Sequence, residues 1–275
     1  MRPELQNGGV GSSCTGVVKI YWSGSGEVHA LKGIDAVFPP AAITALVGPS
    51  GSGKSSLLRI LACVDRPTAG QVFVGSKEIS AMSRGKRRSV RRGLVGYMFQ
   101  RPADNLISYL TAAEHLEMAA KLRGSDRAGE AEELLDVLHL RSRASHRPSQ
   151  LSGGEQQRLA LASAVIGGPV LVVADEPTAE LDSVSGEALM GMIGQLRDRG
   201  TSFAVATHDP IVMEAADQIL HLRHGALEAE TKQSRALSVI DASGRIQLPP
   251  EMLRLFPGRR AVIRLDEGEV RITPP

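Results

Sequence analysis

The sequence has few cysteines, no long apolar run and little excess charge of either sign. Its 275 residues include two cysteines, Cys14 and Cys63, which stand far apart. That spacing excludes a disulfide scaffold and a cysteine-based metal or redox motif, and it favours a reducing cytosol. The longest near-apolar stretch, residues 164–174, is far shorter than the ~18 residues that a membrane-spanning helix needs. A formal net charge of +2 gives no composition-based support to generic nucleic-acid binding.

The composition is that of a soluble globular protein, and short β-type runs alternate with helical stretches from about residue 17 to residue 227. This alternation predicts an α/β domain with a largely parallel sheet. The clearest strand candidates are residues 43–48, 93–99, 170–175 and 202–207. Helices are predicted over residues 54–63, 111–122, 128–139, 153–165 and 183–199, with Asp126 as the N-cap of the third.

The flanking segments have a different character. Residues 1–16 are rich in Gly and Ser, lack the apolar core of a signal peptide and are predicted to form a disordered tail. Residues 228–237 are predicted to be a linker, although the segment 226–237 is also compatible with a hairpin. Residues 238–275 are predicted to form a small, separate β-rich module.

The strongest local pattern is the glycine-rich segment 48–55, which fits G-x-x-x-x-G-K-[ST] between a predicted strand and a predicted helix. Glycines let backbone N–H groups converge on phosphate oxygens, and the helix that starts here adds the positive end of its dipole. Lys54 supplies a full charge at the β- and γ-phosphates, and Ser55 offers a hydroxyl to Mg²⁺. The predicted nucleotide-binding residues are Gly48, Ser50, Gly51, Ser52, Gly53, Lys54, Ser55 and Ser56.

Two acidic residues follow a second apolar strand. Residues 170–174 are apolar, and Asp175 and Glu176 come directly after them. A carboxylate at the carboxyl end of a strand beside the phosphate-binding loop is placed to hold Mg²⁺, directly or through water. Because adjacent residues point to different places, Asp175 is the predicted metal ligand. Glu176 is the candidate general base for the attack of water on the γ-phosphate.

A second helix start is also suited to an anion. Ser152 is a good N-cap, and Gly153 and Gly154 leave backbone N–H groups free to meet a phosphate. At this point residues 151–158, L-S-G-G-E-Q-Q-R, resemble the signature motif of the ATP-binding-cassette (ABC) ATPases. The resemblance covers about residues 17–227.

The resemblance implies further site residues. Gln100 resembles the glutamine that couples the Mg²⁺ and water site to a transmembrane partner, which assigns it to both metal binding and catalysis. His208 resembles the switch histidine that contacts the γ-phosphate. Asp182 ends a segment that resembles the loop crossing the dimer interface. Tyr21 lies where the family places an aromatic side chain that stacks on adenine, and its neighbour Trp22 is the alternative, because strand alternation points only one of them toward the nucleotide.

The resemblance also implies a fold and a mechanism. The expected fold is an ABC P-loop cassette with a RecA-like core, an antiparallel β-subdomain and a helical subdomain. ATP is the expected substrate and Mg²⁺ the expected cofactor. Two copies would sandwich two ATP molecules head to tail, with the P-loop of one copy facing Ser152, Gly153 and Gly154 of the other. A separate transmembrane permease would hold this homodimer at the cytoplasmic face of the membrane.

Two short segments narrow the resemblance within the family. Residues 27–33 and 66–70 resemble the branch that serves lipoprotein release, macrolide export and cell division. The alternative function is that of a soluble ABC ATPase or regulator that acts on nucleic acid through the C-terminal module.

Two further features have no place in the nucleotide site. Residues 84–92 contain six basic side chains, which form either a solvated helix face or a contact with anionic lipid headgroups or acidic permease loops. Residues 239–249 resemble the AbrB/SpoVT-like swapped hairpin, a family of intertwined dimers. The module has six arginines against five acidic residues, a poor electrostatic footprint for DNA, so homodimerisation or regulation is favoured over DNA binding.

Overall fold

The computed structural model describes residues 11–24, 26–125, 129–232, 235–238, 254–256, 261–266 and 269–273. Its strands are β1 (Ser12–Ser23), β2 (Gly26–Phe38), β3 (Ile43–Val47), β4 (Ala69–Val74), β5 (Lys77–Glu78), β6 (Val95–Met98), β7 (Leu171–Asp175), β8 (Ser202–Ala206), β9 (Gln218–Arg223), β10 (Ala226–Lys232), β11 (Arg235–Ser238), β12 (Val262–Asp266) and β13 (Glu269–Thr273). Its helices are α1 (Lys54–Leu61), α2 (Arg84–Leu94), α3 (Ala112–Arg123), α4 (Glu130–Val137), α5 (Gly153–Val165), α6 (Ser183–Asp198) and α7 (Pro210–Ala215). Every strand and helix predicted over residues 43–207 is present.

A seven-stranded sheet in the order β11-β10-β9-β3-β8-β7-β6 forms the centre of the fold. The strands from β9 to β6 run parallel to one another, as the alternation predicts. Val172 and Ala174 pack into the core that includes α5 and α6, whereas Leu171 and Val173 pack into the core that includes α1. Both faces of β7 are therefore covered, which explains its continuous apolar sequence. Parallel strands bring their carboxyl ends to one edge, where β3, β7 and β8 each lead into a predicted site residue.

The expected subdomains flank this core. A four-stranded antiparallel sheet in the order β2-β1-β4-β5 forms the β-subdomain. Helices α3 and α4 pack with α5 and form the helical part of the fold. The predicted class, an ABC-type P-loop cassette, is confirmed. In the part of the chain that the structure describes, no helix is long and apolar enough to cross a membrane.

Two predicted boundaries are wrong. The disordered tail was placed through residue 16, but β1 begins at Ser12 and buries Cys14 to 3% exposure against the β-subdomain core. The linker over residues 228–237 is instead an antiparallel hairpin, β10 with β11, that extends the central sheet beyond β9. Backbone pairing with β9 and packing of Leu227 on the core stabilise this hairpin despite its polar sequence. The hairpin interpretation of residues 226–237 is thus the correct one.

Other predictions fall wholly or partly outside the described residues. Asp126, the predicted N-cap, is one of these, and α4 starts at Glu130 after Gly129, whose φ is 81°. In the C-terminal module, which is predicted to be β-rich, β12 and β13 pair antiparallel from Val262 with Thr273 to Asp266 with Glu269. Residues 239–249, on which the AbrB-like resemblance rests, lie outside the described residues.

Candidate active site

The loop between β3 and α1 packs so closely on its neighbours that two of its glycines have no room for a side chain. A Cβ on Gly48 would overlap the carbonyl oxygen of Leu222 in β9, and a Cβ on Gly53 would lie 2.6 Å from the carbonyl oxygen of Ala30 in β2. Gly51 has a φ of 75° but faces open space. The motif's glycines therefore serve the packing of the loop as well as the approach of phosphate.

We expect Gly48→Ala to lower the free energy of unfolding by roughly 3 kcal/mol, the upper end of the range for an overpacked site. The new methyl group would meet a backbone oxygen inside the sheet, which has little freedom to move. Gly51→Ala is the matched control, because its left-handed φ costs only about 1–2 kcal/mol and no atom lies in the way. Urea unfolding midpoints would compare the two variants. Equal midpoints would contradict this account of Gly48.

Lys54, the first residue of α1, stabilises the closed shape of the loop. Its ammonium donates hydrogen bonds to the carbonyl oxygens of Gly48 at 2.7 Å and Pro49 at 3.2 Å. The backbone N–H of Ser52 donates to the Pro49 carbonyl at 3.2 Å and completes the turn. The positive charge is thus held at the concave loop, beside the N-terminus of α1, where both favour an anion.

The two carboxylates at the end of β7 point to different partners, as predicted. Asp175 accepts a hydrogen bond from the Ser55 hydroxyl. Burial raises the pKa of Asp175 and the charge of Glu176 adds to this, while the Ser55 hydrogen bond and Lys54 oppose it. Asp175 is therefore a half-buried acid for which a nearby cation would favour the charged form.

Glu176 faces His208 instead. Its φ of 49° is unusual for a residue other than glycine, and its N–H donates to the Ala206 carbonyl at 2.9 Å. Oε2 of Glu176 accepts from the His208 backbone N–H at 3.3 Å, and Oε1 lies 2.9 Å from Nδ1 of His208. This hydrogen bond and the negative charge raise the pKa of His208. The carboxylate therefore already has a proton-bearing partner before any substrate is present.

One cleft of ≈ 730 Å³ brings most of the predicted residues together. Its predicted lining residues are Tyr21, Gly48, Ser50, Gly51, Ser52, Gly53, Lys54, Ser55, Ser56, Gln100, Asp175, Glu176 and His208. Val28, His29 and Ala30 of β2 also line it, and none of them was among the predicted site residues. Trp22 is not part of the lining, and 77% of it is exposed.

Four predicted residues lie outside this cleft: Ser152, Gly153, Gly154 and Asp182. Ser152 caps α5 by a reciprocal pair of hydrogen bonds with Glu155 at 3.2 and 2.8 Å, and it is exposed together with Gly153. Arg143 donates to Glu155 at 2.8 Å, and this bond with the capping bonds lowers the pKa of Glu155 to about 2. Asp182 accepts from the backbone N–H of Ser185 at 2.8 Å and caps α6. The signature segment is thus an ordered, exposed helix start away from its own chain's phosphate loop.

Two contacts that sequence reasoning missed tie the loop after β7 to its neighbours. The side-chain amide of Gln157 on α5 donates to the Pro177 carbonyl at 2.6 Å, and Gln157 is buried. The Thr178 hydroxyl donates to Asp209 at 2.5 Å, one residue after His208. The residue spacing gave no signal for either contact, because both join segments that meet only in the folded chain.

Tyr21 is held at the wall of the cleft by a partly buried ion pair. The nearly buried ammonium of Lys19 lies 4.7 Å from the centroid of the Tyr21 ring and donates to Asp65 at 2.8 Å. The Tyr21 hydroxyl donates to the other oxygen of Asp65 at 3.1 Å. Charge, hydrogen bond and cation–π contact together fix the orientation of the ring.

A smaller cavity of ≈ 400 Å³ adjoins the cleft. It is lined by Tyr97, Phe99, Gln100, Arg101, Asp104, Asp175 and Glu180. Gln100 and Asp175 line both spaces and form the boundary between them.

Comparison with known proteins decides the family. A family model described as ABC transporter matches residues 31–179. An uncharacterized ABC transporter ATP-binding protein of Thermotoga maritima is 40% identical over 215 residues, which is 77% of this chain and 91% of that protein. The chain belongs to the ABC transporter ATPase family. Members of this family bind and hydrolyse ATP.

Solved ABC structures agree with this assignment. The dimeric ATP-binding cassette MJ0796, in a post-hydrolysis state bound to ADP and Pi, is 35% identical with a TM-score of 0.73. The match covers 82% of this chain and 99% of that one. The macrolide export ATP-binding/permease protein MacB of Salmonella typhimurium is 41% identical over 214 residues, which is 77% of this chain. The present chain therefore spans only 33% of the length of that MacB relative.

Proposed function

We propose that the chain is the ATP-hydrolysing subunit of a membrane ABC transporter or mechanotransducing complex, and that it works as a head-to-tail homodimer with a separate permease. The observation that carries the proposal is the separation of two phosphate-binding segments. The cleft holds Lys54, Asp175, Glu176 and His208, while Gly153 is exposed outside it. A second copy would supply the missing half of each site.

The cleft residues have chemistry suited to attack of water on the γ-phosphate. Lys54 and the loop N–H groups bind the phosphates. Glu176 accepts the proton of the attacking water. His208, whose pKa is raised by Glu176, donates to the γ-phosphate and stabilises its developing charge. Gln100 positions the water between the two spaces that it lines.

Mg²⁺ fits the oxygen-bearing side chains of this site. Ser55, Asp175 and Gln100 would hold it, and all three present oxygen, the donor that Mg²⁺ prefers. Among the described residues there is no cluster of three or more His, Cys, Asp and Glu side chains able to hold a metal. That agrees with an ion which keeps waters and phosphate oxygens as its other ligands. Bound there, Mg²⁺ would neutralise phosphate charge.

The membrane partner is inferred from relatives. Proteins named MacB are described as macrolide export ATP-binding/permease proteins, and this chain matches a third of their length. We propose that a separate permease takes the place of the remainder and holds the cassette at the cytoplasmic face of the membrane. The chain's small net charge gives no support to the nucleic-acid alternative.

The dimer is tested by the mass in solution of Glu176→Gln with and without Mg²⁺-ATP. We expect a dimer only with nucleotide. Adding Gly153→Asp should keep the chain monomeric while ATP binding persists, because the aspartate carboxylate would repel the partner's γ-phosphate. Gly191→Asp is the matched control, since both glycines are exposed and have open space around them. A Gly153→Asp variant that dimerises as readily as the control would overturn the head-to-tail arrangement.

Tyr21 is the proposed stacking partner of adenine, with its ring fixed by Lys19 and Asp65. We expect Tyr21→Ala to weaken ATP binding by roughly 5- to 150-fold, the range for loss of one base–aromatic stack of about 1–3 kcal/mol. Tyr21→Phe should retain most of the affinity. Binding of inorganic tripolyphosphate should not change in either variant, because it has no base. Trp22→Ala is the control, and a larger loss there than in Tyr21→Ala would make Trp22 the stacking residue.

The C-terminal module is proposed to serve self-association or regulation and not nucleotide chemistry. We expect deletion of residues 239–275, after the end of β11, to leave ATP affinity within about twofold of that of the full chain, since none of the cleft residues is removed. Sedimentation velocity with Mg²⁺-ATP, in the Glu176→Gln background, should show weaker self-association for the shortened chain. If the full and the shortened chain associated equally, dimerisation would not be a function of the module.

A further inference from the structure

Helix α2 concentrates positive charge on a chain that is otherwise slightly acidic. Its eleven residues include six basic and no acidic side chains. Without these six, the chain would have 26 basic against 30 acidic residues. Helix α2 is therefore positively charged, whereas the rest of the chain has a small net negative charge.

The helix presents this charge outward from a fixed position. Arg84, Arg88 and Arg92 recur every four residues, which places them on one face, and all three are exposed. Val90 and Leu94 pack against the hydrophobic core on another side of the helix. The apolar contacts hold α2 to the protein, and the arginines remain free to meet a ligand.

No acidic partner neutralises this face within the described part of the chain. None of the six basic side chains forms an ion pair there. The one side-chain hydrogen bond runs from Arg87 to the Met82 carbonyl at 3.1 Å, which secures the start of the helix. Basic side chains one helical turn apart repel each other, so a bound anion would reduce this electrostatic repulsion.

We propose that α2 binds the anionic phospholipid headgroups of a membrane surface. Five of its six cations are arginines, whose planar guanidinium groups bind phosphate through paired hydrogen bonds. A row of exposed arginines on a convex helix matches a laterally extended phosphate surface. The apolar residues face the core, so contact stays at headgroup level without insertion. The inference rests on the proposed function only for the nearness of a membrane.

The test is co-sedimentation of the full chain with vesicles of phosphatidylglycerol and phosphatidylcholine in equal amounts. We expect binding that falls with added salt, and no binding to pure phosphatidylcholine. The triple variant Arg84→Gln, Arg88→Gln, Arg92→Gln should bind roughly 100-fold more weakly, since each basic residue near an anionic surface contributes several-fold to affinity. ATP affinity, measured in parallel, should be unchanged and shows that the variant is folded.

The matched control removes three exposed arginines elsewhere: Arg141→Gln, Arg199→Gln, Arg223→Gln. It has the same net charge as the α2 variant and should bind vesicles like the unaltered chain. Equal losses in the two variants would mean that net charge alone drives binding, and would overturn the assignment to α2. Displacement from vesicles by duplex DNA or polyglutamate at lower concentration than by soluble phosphatidylglycerol headgroup would overturn the lipid assignment. Neither result would alter the ATP-dependent dimer, which is measured without vesicles.

Discussion

Replacement of Glu176 by glutamine should lower ATP turnover by roughly 100- to 10,000-fold, the range that a general base contributes. The amide cannot accept the proton of the attacking water. The fold should survive, since the amide oxygen can still accept from the His208 backbone N–H, a bond of 3.3 Å in the native chain. ATP binding should persist because Lys54 and the loop glycines are untouched. Phosphate release under saturating Mg²⁺-ATP is the measurement.

A control variant tests whether the loss of one negative charge is enough to lower turnover. Glu117→Gln removes one exposed carboxylate from α3, outside the residues that line the cleft. It should turn over ATP at the rate of the unaltered chain. A Glu176→Gln variant with comparable turnover would remove Glu176 from the role of base and leave that role to another group of the cleft.

Replacement of Lys54 by alanine should weaken ATP binding by roughly 10- to 150-fold, because a hydrogen bond to a charged group contributes about 1.5–3 kcal/mol. The ammonium also holds the Gly48 and Pro49 carbonyls at 2.7 and 3.2 Å, so the empty loop should lose some stability as well. Titration calorimetry with ATP gives the affinity, and a urea midpoint gives the stability.

A lysine outside the phosphate loop is the control for the effect of removing one positive charge on ATP affinity and on stability. Lys121 is exposed near the end of α3, and Lys121→Ala should leave ATP affinity unchanged. If Lys54→Ala bound ATP as tightly as Lys121→Ala, the phosphate-binding role of the loop lysine would be wrong. A loss of stability with intact affinity would show that Lys54 serves only to shape the loop.

The sequence predicted those parts of the site that reside in contiguous segments. The phosphate loop and the acid pair Asp175 and Glu176 depend on local spacing, and the cleft brings them together. Contacts between distant segments left no local trace. Lys19 of β1 meets Asp65 in the loop between α1 and β4, and Arg143 meets Glu155 in the first turn of α5. Such pairs follow from tertiary packing and not from sequence periodicity.

The two wrong boundaries have the same physical origin. Polar, Gly- and Ser-rich segments look unstructured when only composition is considered, yet backbone pairing with an existing sheet stabilises them. Residues 12–16 pair with β2 and β4 around a bulge at Gly16, whose φ is 57°. Strand β10 pairs with β9, and β11 pairs with β10 at the edge of the central sheet. Strand pairing satisfies backbone N–H and C=O groups whatever the side chains are, so composition alone does not reveal such strands.

The bond from Gln157 to the Pro177 carbonyl gives the cassette a mechanical linkage. Gln157 is on the helix that begins with the glycines Gly153 and Gly154, and Pro177 follows Glu176 directly. A force on the exposed end of α5 therefore acts, through one buried amide, on the segment that carries the carboxylate. The same segment is tied through Thr178 to Asp209, next to His208. A displacement of α5 would thus move the segments that carry Glu176 and His208 together.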